Sequence, residues 1–295
     1  MRPASALLAL VLVAGCASDP APRADADTPA ETVALAAPSP NEVEVRVGEA
    51  QARLAESEAG RRVWASIVAH GGLARWYGNG PLHFRYRYER GGDEPAIDTE
   101  QTVDTWSSRA RHTVMPDSSA SFGWTGDTAW IQPAGADIST NARFWSLTPY
   151  YFVAMPFVLA DPGVNLALDG QMTAEGETYD LVRVTFDAGT GDAPDDYYVL
   201  LLDPKTDRVG GVRYVVSYPG FFPEGGTTPE RLMLYDGAQT VSGITLQEGF
   251  RSFAWTANGV GEPAAQGTVS GARFVPDAPD SLFAMPAGAD VQEAM

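Results

Sequence analysis

The sequence predicts a mainly β fold with some helix. The expected form is a strongly curved antiparallel sheet, or incomplete β-barrel, covered by an N-terminal helix and a central aromatic helical segment. Three observations carry that prediction. Residues 82–89 alternate between an apolar set (Leu82, Phe84, Tyr86, Tyr88) and a polar set (His83, Arg85, Arg87, Glu89), the period of a strand with one buried face. Short segments of similar kind follow at close intervals, many separated by Gly-Asp, Asp-Pro or Gly-Gly pairs, which indicates antiparallel meander pairing. Between the two groups of strands lies one stretch of a different character, NARFWSLTPYYFVAMPFVLADPG over 141–163, crowded with large apolar side chains around which such a sheet can wrap.

Taken in order, the folded part opens with a helix over 49–69, where there is no proline and only Gly60, and where Leu54, Val63, Trp64, Ile67 and Val68 fall at helical spacing. His70-Gly71-Gly72 ends it. A short turn over 73–77 follows, then Gly78-Asn79-Gly80-Pro81 and the alternating strand. Further strands are expected over 97–106, 109–115, 119–125 and 128–132, and after the aromatic segment over 165–173, 178–187, 196–203, 208–218, 230–237, 243–256 and 266–275.

The aromatic segment is too apolar for a solvent-facing helix and too short to span a bilayer, and Pro149 and Pro156 would interrupt any helix it forms. It has two readings: a core plug filling the concave face, the commoner role of an apolar cluster, or a lid over an apolar pocket. Both hold if the plug is incomplete. The candidate ligand-binding residues are Phe84 and Tyr86 on the first strand, with Phe144, Trp145, Tyr150, Tyr151, Phe152, Met155 and Phe157 from the segment.

Nothing in the sequence marks a catalytic centre. There are three histidines. His70 ends a helix, where its side chain can meet free carbonyls. His83 and His112 alternate with apolar residues on strands and are expected to face outward or line a sheet face. None has a metal-binding spacing, and there is neither a G-x-S-x-G elbow nor a phosphate-cradling Gly-rich loop. The acidic run from Asp187 through Asp192 and Asp195 to Asp196 could wrap Ca²⁺, but it fits no EF-hand and reads more simply as a solvated hairpin turn. No cofactor and no metal are expected. The chain carries 20 basic and 38 acidic residues, a net charge of −18, which argues against nucleic acid and other polyanions as partners. A monomer is expected.

The N-terminus bears on compartment. Arg2 precedes an apolar run over 6–14 and then Gly15-Cys16, the layout of a secretory signal, with the run far below the ~20 residues of a membrane span. Val13-Ala14-Gly15-Cys16 resembles the lipobox of bacterial lipoproteins. That resemblance implies that residues 1–15 are removed, that Cys16 becomes the acylated first residue, and that several acyl chains hold the protein stably on a membrane. Ala17 in place of an aspartate favours, by the same resemblance, the outer membrane, facing the periplasm. Cys16 is the only cysteine, so the chain forms no internal disulfide. Residues 16–45 are read as a disordered tether poor in large apolar side chains, and 46–290 as a single domain.

Together with that signal and tether, the His70-Gly71-Gly72-Leu73 turn with Trp76, the curved sheet and the PYYFVAMPFVLADPGV segment resemble uncharacterised bacterial outer-membrane lipoproteins. These are distantly similar to the lipoprotein-localisation carrier and receptor (LolA/LolB-like). The resemblance covers most of 55–290 and implies an unclosed barrel with helices over its mouth and an apolar interior that holds acyl chains. The chain departs from those factors in its extra strands and larger central insertion, and no cargo-binding residue carries over by position. The function expected is non-enzymatic binding of a hydrophobic ligand, whether an acyl chain, a lipid or a lipidated partner. The alternatives are a scaffolding lipoprotein without ligand, and an envelope hydrolase. A packed interior favours the scaffold, and an apolar cavity of about 300 Å³ or more favours the binder.

Overall fold

The computed structural model describes residues 34–193 and 195–292. It opens with α1 (Pro40–Ala55), started by a capping box: the Ser39 hydroxyl accepts from the Glu42 amide at 3.3 Å while the Ser39 amide donates to the Glu42 carboxylate at 2.7 Å. Pro40 occupies the first turn, where its missing N–H costs nothing. Residues 40–45, placed by composition in the tether, are therefore the first turns of a helix.

The helix expected over 49–69 is two helices. The chain breaks after α1, and α2 (Glu58–Ala69) begins anew with Ser57 accepting from the Gly60 amide at 2.9 Å. Gly60 is the reason the two can meet closely, since a Cβ there would stand 2.1 Å from the Leu54 carbonyl oxygen. α3 (Leu73–Gly78) follows the glycine pair; Gly71 has φ 117°, and a side chain on it would strike the Gly243 carbonyl.

The strands are β1 (Leu82–Arg90), β2 (Ile97–Val103), β3 (Ala110–Val114), β4 (Ser121–Trp124), β5 (Ala129–Gln132), β6 (Val164–Ala174), β7 (Glu177–Phe186), β8 (Tyr198–Leu202), β9 (Val209–Tyr214), β10 (Arg231–Asp236), β11 (Gln239–Val241), β12 (Ile244–Leu246), β13 (Gly249–Thr256), β14 (Gly259–Phe274) and β15 (Asp290–Gln292). Thirteen of them form one antiparallel curved sheet in the order β15-β5-β4-β3-β2-β1-β14-β13-β10-β9-β8-β7-β6, and β11 pairs only with β12. β15 and β6 remain as edges, so the sheet does not close into a barrel. The strand expected over 243–256 is divided at Gln247-Glu248 into β12 and β13. β14 starts earlier than 266, because its first half (GVGEPAA) is small and polar and is held in the sheet by the hairpin with β13 rather than by its own pattern.

α4 (Ala142–Val153) packs on β3, β4 and β5 from inside the curve. Contrary to the sequence expectation, the helix runs through Pro149. Proline removes one hydrogen bond, but this segment is buried against the sheet on one side and against α3 and a 3-10 turn (Phe157–Ala160) on the other, and packing outweighs the local loss. In that core Trp76, 1 % exposed, stacks on Phe157 at 4.4 Å between ring centres and on Tyr150 at 6.1 Å. Burying side chains of this size supplies about 1.5–3 kcal/mol each. No helix of the described residues is long and apolar enough to cross a membrane.

Candidate functional site: an aromatic cavity under α4

The plug is incomplete. Between α4 and the sheet lies a cavity of about 730 Å³. Its sheet wall follows from register. On β8, β9 and β10 the directly opposed residues are Tyr198, Tyr214 and Arg231, all on the concave face. The Tyr198 and Tyr214 rings lie nearly parallel (6.2 Å, 20°), forming part of the wall. Nearer β1, Phe250 lies over Tyr86 and Tyr88, at 5.7 and 6.0 Å between ring centres. This is possible because Gly267 faces Phe250: a Cβ there would come within 2.4 Å of the ring.

α4 spans the concavity because polar ties hold it along its length. At its start Asn141 accepts from the Phe144 amide at 2.9 Å and from the Tyr218 hydroxyl at 3.4 Å. In its middle the His112 ring bonds the Ser146 carbonyl at 2.9 Å. At its end the Phe152 carbonyl, one of the groups a helix terminus leaves unpaired, accepts from the Tyr235 hydroxyl at 2.7 Å and from Gln247 at 3.0 Å.

Of the candidate ligand-binding residues, Tyr86, Phe144, Trp145, Tyr151 and Phe152 line the cavity. Phe84, Tyr150, Met155 and Phe157 are buried in the core outside it. Sequence reasoning missed Tyr88, Tyr198, Tyr214, Tyr218 and Phe221, and the three arginines of the cavity, Arg90, Arg143 and Arg231. Tyr88 belongs to the same alternation as Tyr86 and was open to detection. Tyr198 sits in a continuous apolar run over 197–202 in which no face is legible, and Tyr214, between Arg213 and Val215, has one polar and one apolar neighbour and shows its face no better.

The loop from Asp187 to Asp196 is part of the rim and more than a solvated turn. Asp192 pairs with Arg143 of α4 at 2.8 Å. Asp196 is only 9 % exposed and accepts from the Ser217 amide at 2.5 Å and its hydroxyl at 2.9 Å. Burial pushes the Asp196 carboxyl up, opposed by those bonds from Ser217. Burial also pushes the Tyr86, Tyr198 and Tyr214 phenols up, so these three side chains are uncharged at neutral pH. Three donors around the cavity lack a hydrogen-bond partner: Trp145 Nε1, the Tyr151 hydroxyl and Arg143 Nε.

The histidines have separate surroundings. His70 bonds the Ser66 carbonyl through Nδ1 at 2.8 Å and meets the Phe157 ring edge-on. His83 bonds the Thr102 hydroxyl at 2.9 Å. His112 is fully buried on the concave side, stacked on Phe122 at 4.5 Å. Among the described residues no histidine pairs with a carboxylate, and no group of three His, Cys, Asp or Glu side chains is placed to hold a metal. Cys16, the signal and the tether up to residue 33 lie outside the described residues.

No protein-family model and no curated protein matches this sequence. Among solved structures, the chain is similar to a DUF1329 family protein from Desulfovibrio piger, at 12 % identity over 82 % of this chain and 97 % of that one, with a TM-score of 0.48. It is similar to a LolA superfamily protein from Nitrosomonas europaea, at 12 % identity over 70 % and 90 % of the two chains, with a TM-score of 0.45. It is also similar to a domain from Vibrio parahaemolyticus named for outer membrane lipoprotein sorting, at 10 % identity over 77 % and 97 %, with a TM-score of 0.47. The fold itself is established by the strand order and register described above.

Proposed function

We propose that this protein is a non-enzymatic cell-envelope lipoprotein that binds a hydrophobic ligand, an acyl chain, a lipid or a lipidated partner, in the cavity beneath α4. The observation that carries the reading is the cavity itself: about 730 Å³, walled by aromatic rings and bridged by a helix that polar ties keep from collapsing into it. Small-molecule sites occupy about 300–1,000 Å³ and are mostly apolar with a few placed polar groups, which is the composition found here. A scaffold without a ligand has no need of this void, since protein interiors otherwise pack to crystal-like density. The lipobox-like stretch ending at Cys16 supports membrane anchorage.

The test is displacement of a fluorescent fatty-acid probe from the purified, delipidated protein, alongside native mass spectrometry for retained lipid. Val216→Trp, which adds bulk at a half-buried position of the cavity wall, is expected to abolish probe binding while the protein stays folded. If the wild-type protein neither retains lipid nor binds the probe, the reading falls.

A further inference from the structure

Five charged side chains line the cavity: Arg90, Arg143, Asp192, Asp196 and Arg231. Four are engaged. Arg90 pairs with Glu94 at 2.8 Å and reaches the Ser139 carbonyl at 3.3 Å. Arg143 pairs with Asp192, and Asp196 holds Ser217. Arg231 is the exception: among the described residues its guanidinium makes no hydrogen bond, ion pair or aromatic stacking contact. Acids are not scarce in a chain with 38 of them, so a half-buried arginine with no partner inside an aromatic cavity is a specific feature of this place.

The surroundings of Arg231 point the same way. It stands directly opposite Tyr214, which stands opposite Tyr198, so the charge begins a row that continues as aromatic wall. Pro229, two residues earlier, is exposed and also lines the cavity, which places Arg231 beside the mouth. The Tyr88 phenol feels the charges of both Arg231 and Arg90. The Tyr88 ring in turn lies 5.7 Å from that of Trp145, whose Nε1 has no partner although the residue is only 6 % exposed. Positive charge and an unused donor thus gather around Tyr88.

We infer that the ligand is an amphiphile with an anionic head, a carboxylate or a phosphate, held by Arg231 at the mouth while its chain runs inward along Tyr214 and Tyr198. This rests on the hydrophobic-ligand reading and adds the chemical class. A guanidinium suits the role because it stays charged at any physiological pH and offers paired N–H donors to two oxygens of one anion.

The experiment displaces the fluorescent probe from the full-length protein with three competitors: oleate, lysophosphatidate and methyl oleate. It compares wild type with Arg231→Met and Arg231→Lys. The two anionic competitors are expected to bind wild type about 10- to 100-fold more tightly than methyl oleate, the range of a charge-assisted hydrogen bond. Arg231→Met is expected to remove that preference while leaving methyl oleate binding unchanged, which also shows that the variant is folded; Arg231→Lys is expected to keep part of it. A preference for lysophosphatidate over oleate identifies a phospholipid head, and the reverse a free fatty acid. If methyl oleate binds wild type as well as oleate and lysophosphatidate do, the anionic head is refuted; if Arg231→Met keeps the preference, the assignment of the head to Arg231 is refuted; in either case the cavity reading stands. If none of the three displaces the probe, the hydrophobic-ligand reading itself is overturned.

Discussion

His112 should make the hold on α4 sensitive to acid. The ring is fully buried against Phe122; Nε2–H donates to the Ser146 carbonyl, and Nδ1 has no partner. Burial brings its pKa down to about 4, opposed by the bond to Ser146, whereas in the unfolded chain it lies near 6.5. The sign follows from proton counting. Between those values the unfolded state binds the proton and the folded state does not, so stability falls as pH falls from 6.5 towards 4. Integrated from pH 7.5 to pH 5, the loss is about 2 kcal/mol, and it approaches 3 kcal/mol near pH 4. Urea denaturation of wild type and His112→Gln at pH 7.5 and pH 5 measures it. Gln keeps a donor but does not titrate, so the variant should lose about 2 kcal/mol less than wild type over the same interval. Carboxylates and the other histidines contribute equally to both proteins and cancel. Equal acid losses in the two proteins would refute the reasoning. Since the bond secures the middle of α4, probe affinity should also decline over this range in wild type more than in the variant.

Two further outcomes follow from packing. Gly267→Val drives a side chain into the Phe250 ring and should cost about 1–3 kcal/mol in urea denaturation, with weaker probe binding because the Tyr86 and Tyr88 floor shifts with that ring. Phe157→Ala removes the ring stacked on Trp76 and should cost about 3–5 kcal/mol, yet leave probe affinity in the folded protein near wild type, because Phe157 lies outside the cavity; denaturation and probe titration together separate the two effects.

The face of β1 was legible because one side is charged and the other aromatic, so Tyr86 could be placed on the concave surface from its neighbours alone. β8 gave no such contrast. Val199 and Leu201, on its other face, are buried in a second apolar cluster with Leu181, Leu232 and Leu234, so both faces look alike and Tyr198 was invisible. In the aromatic segment, Phe144, Trp145, Thr148, Tyr151 and Phe152 recur at helical spacing and all line the cavity, while Tyr150 and Val153 fall on the core side. That stripe could be recognised only by letting the helix continue past Pro149. Arg231 carried no local signal at all, because its significance lies in what the fold does not place beside it.

Thirteen strands without closure leave two margins, and an unpaired margin can recruit another chain into the same ladder. β15 offers only three residues. β6 is long, but its register slips between Leu168 and Gln171, where Gly170 has φ 80°, and α2 packs beside it with Arg62 reaching Asp180 at 2.8 Å. One border is thus too short and the other too bent to template growth. The sheet can stay open without becoming a seed for fibrils.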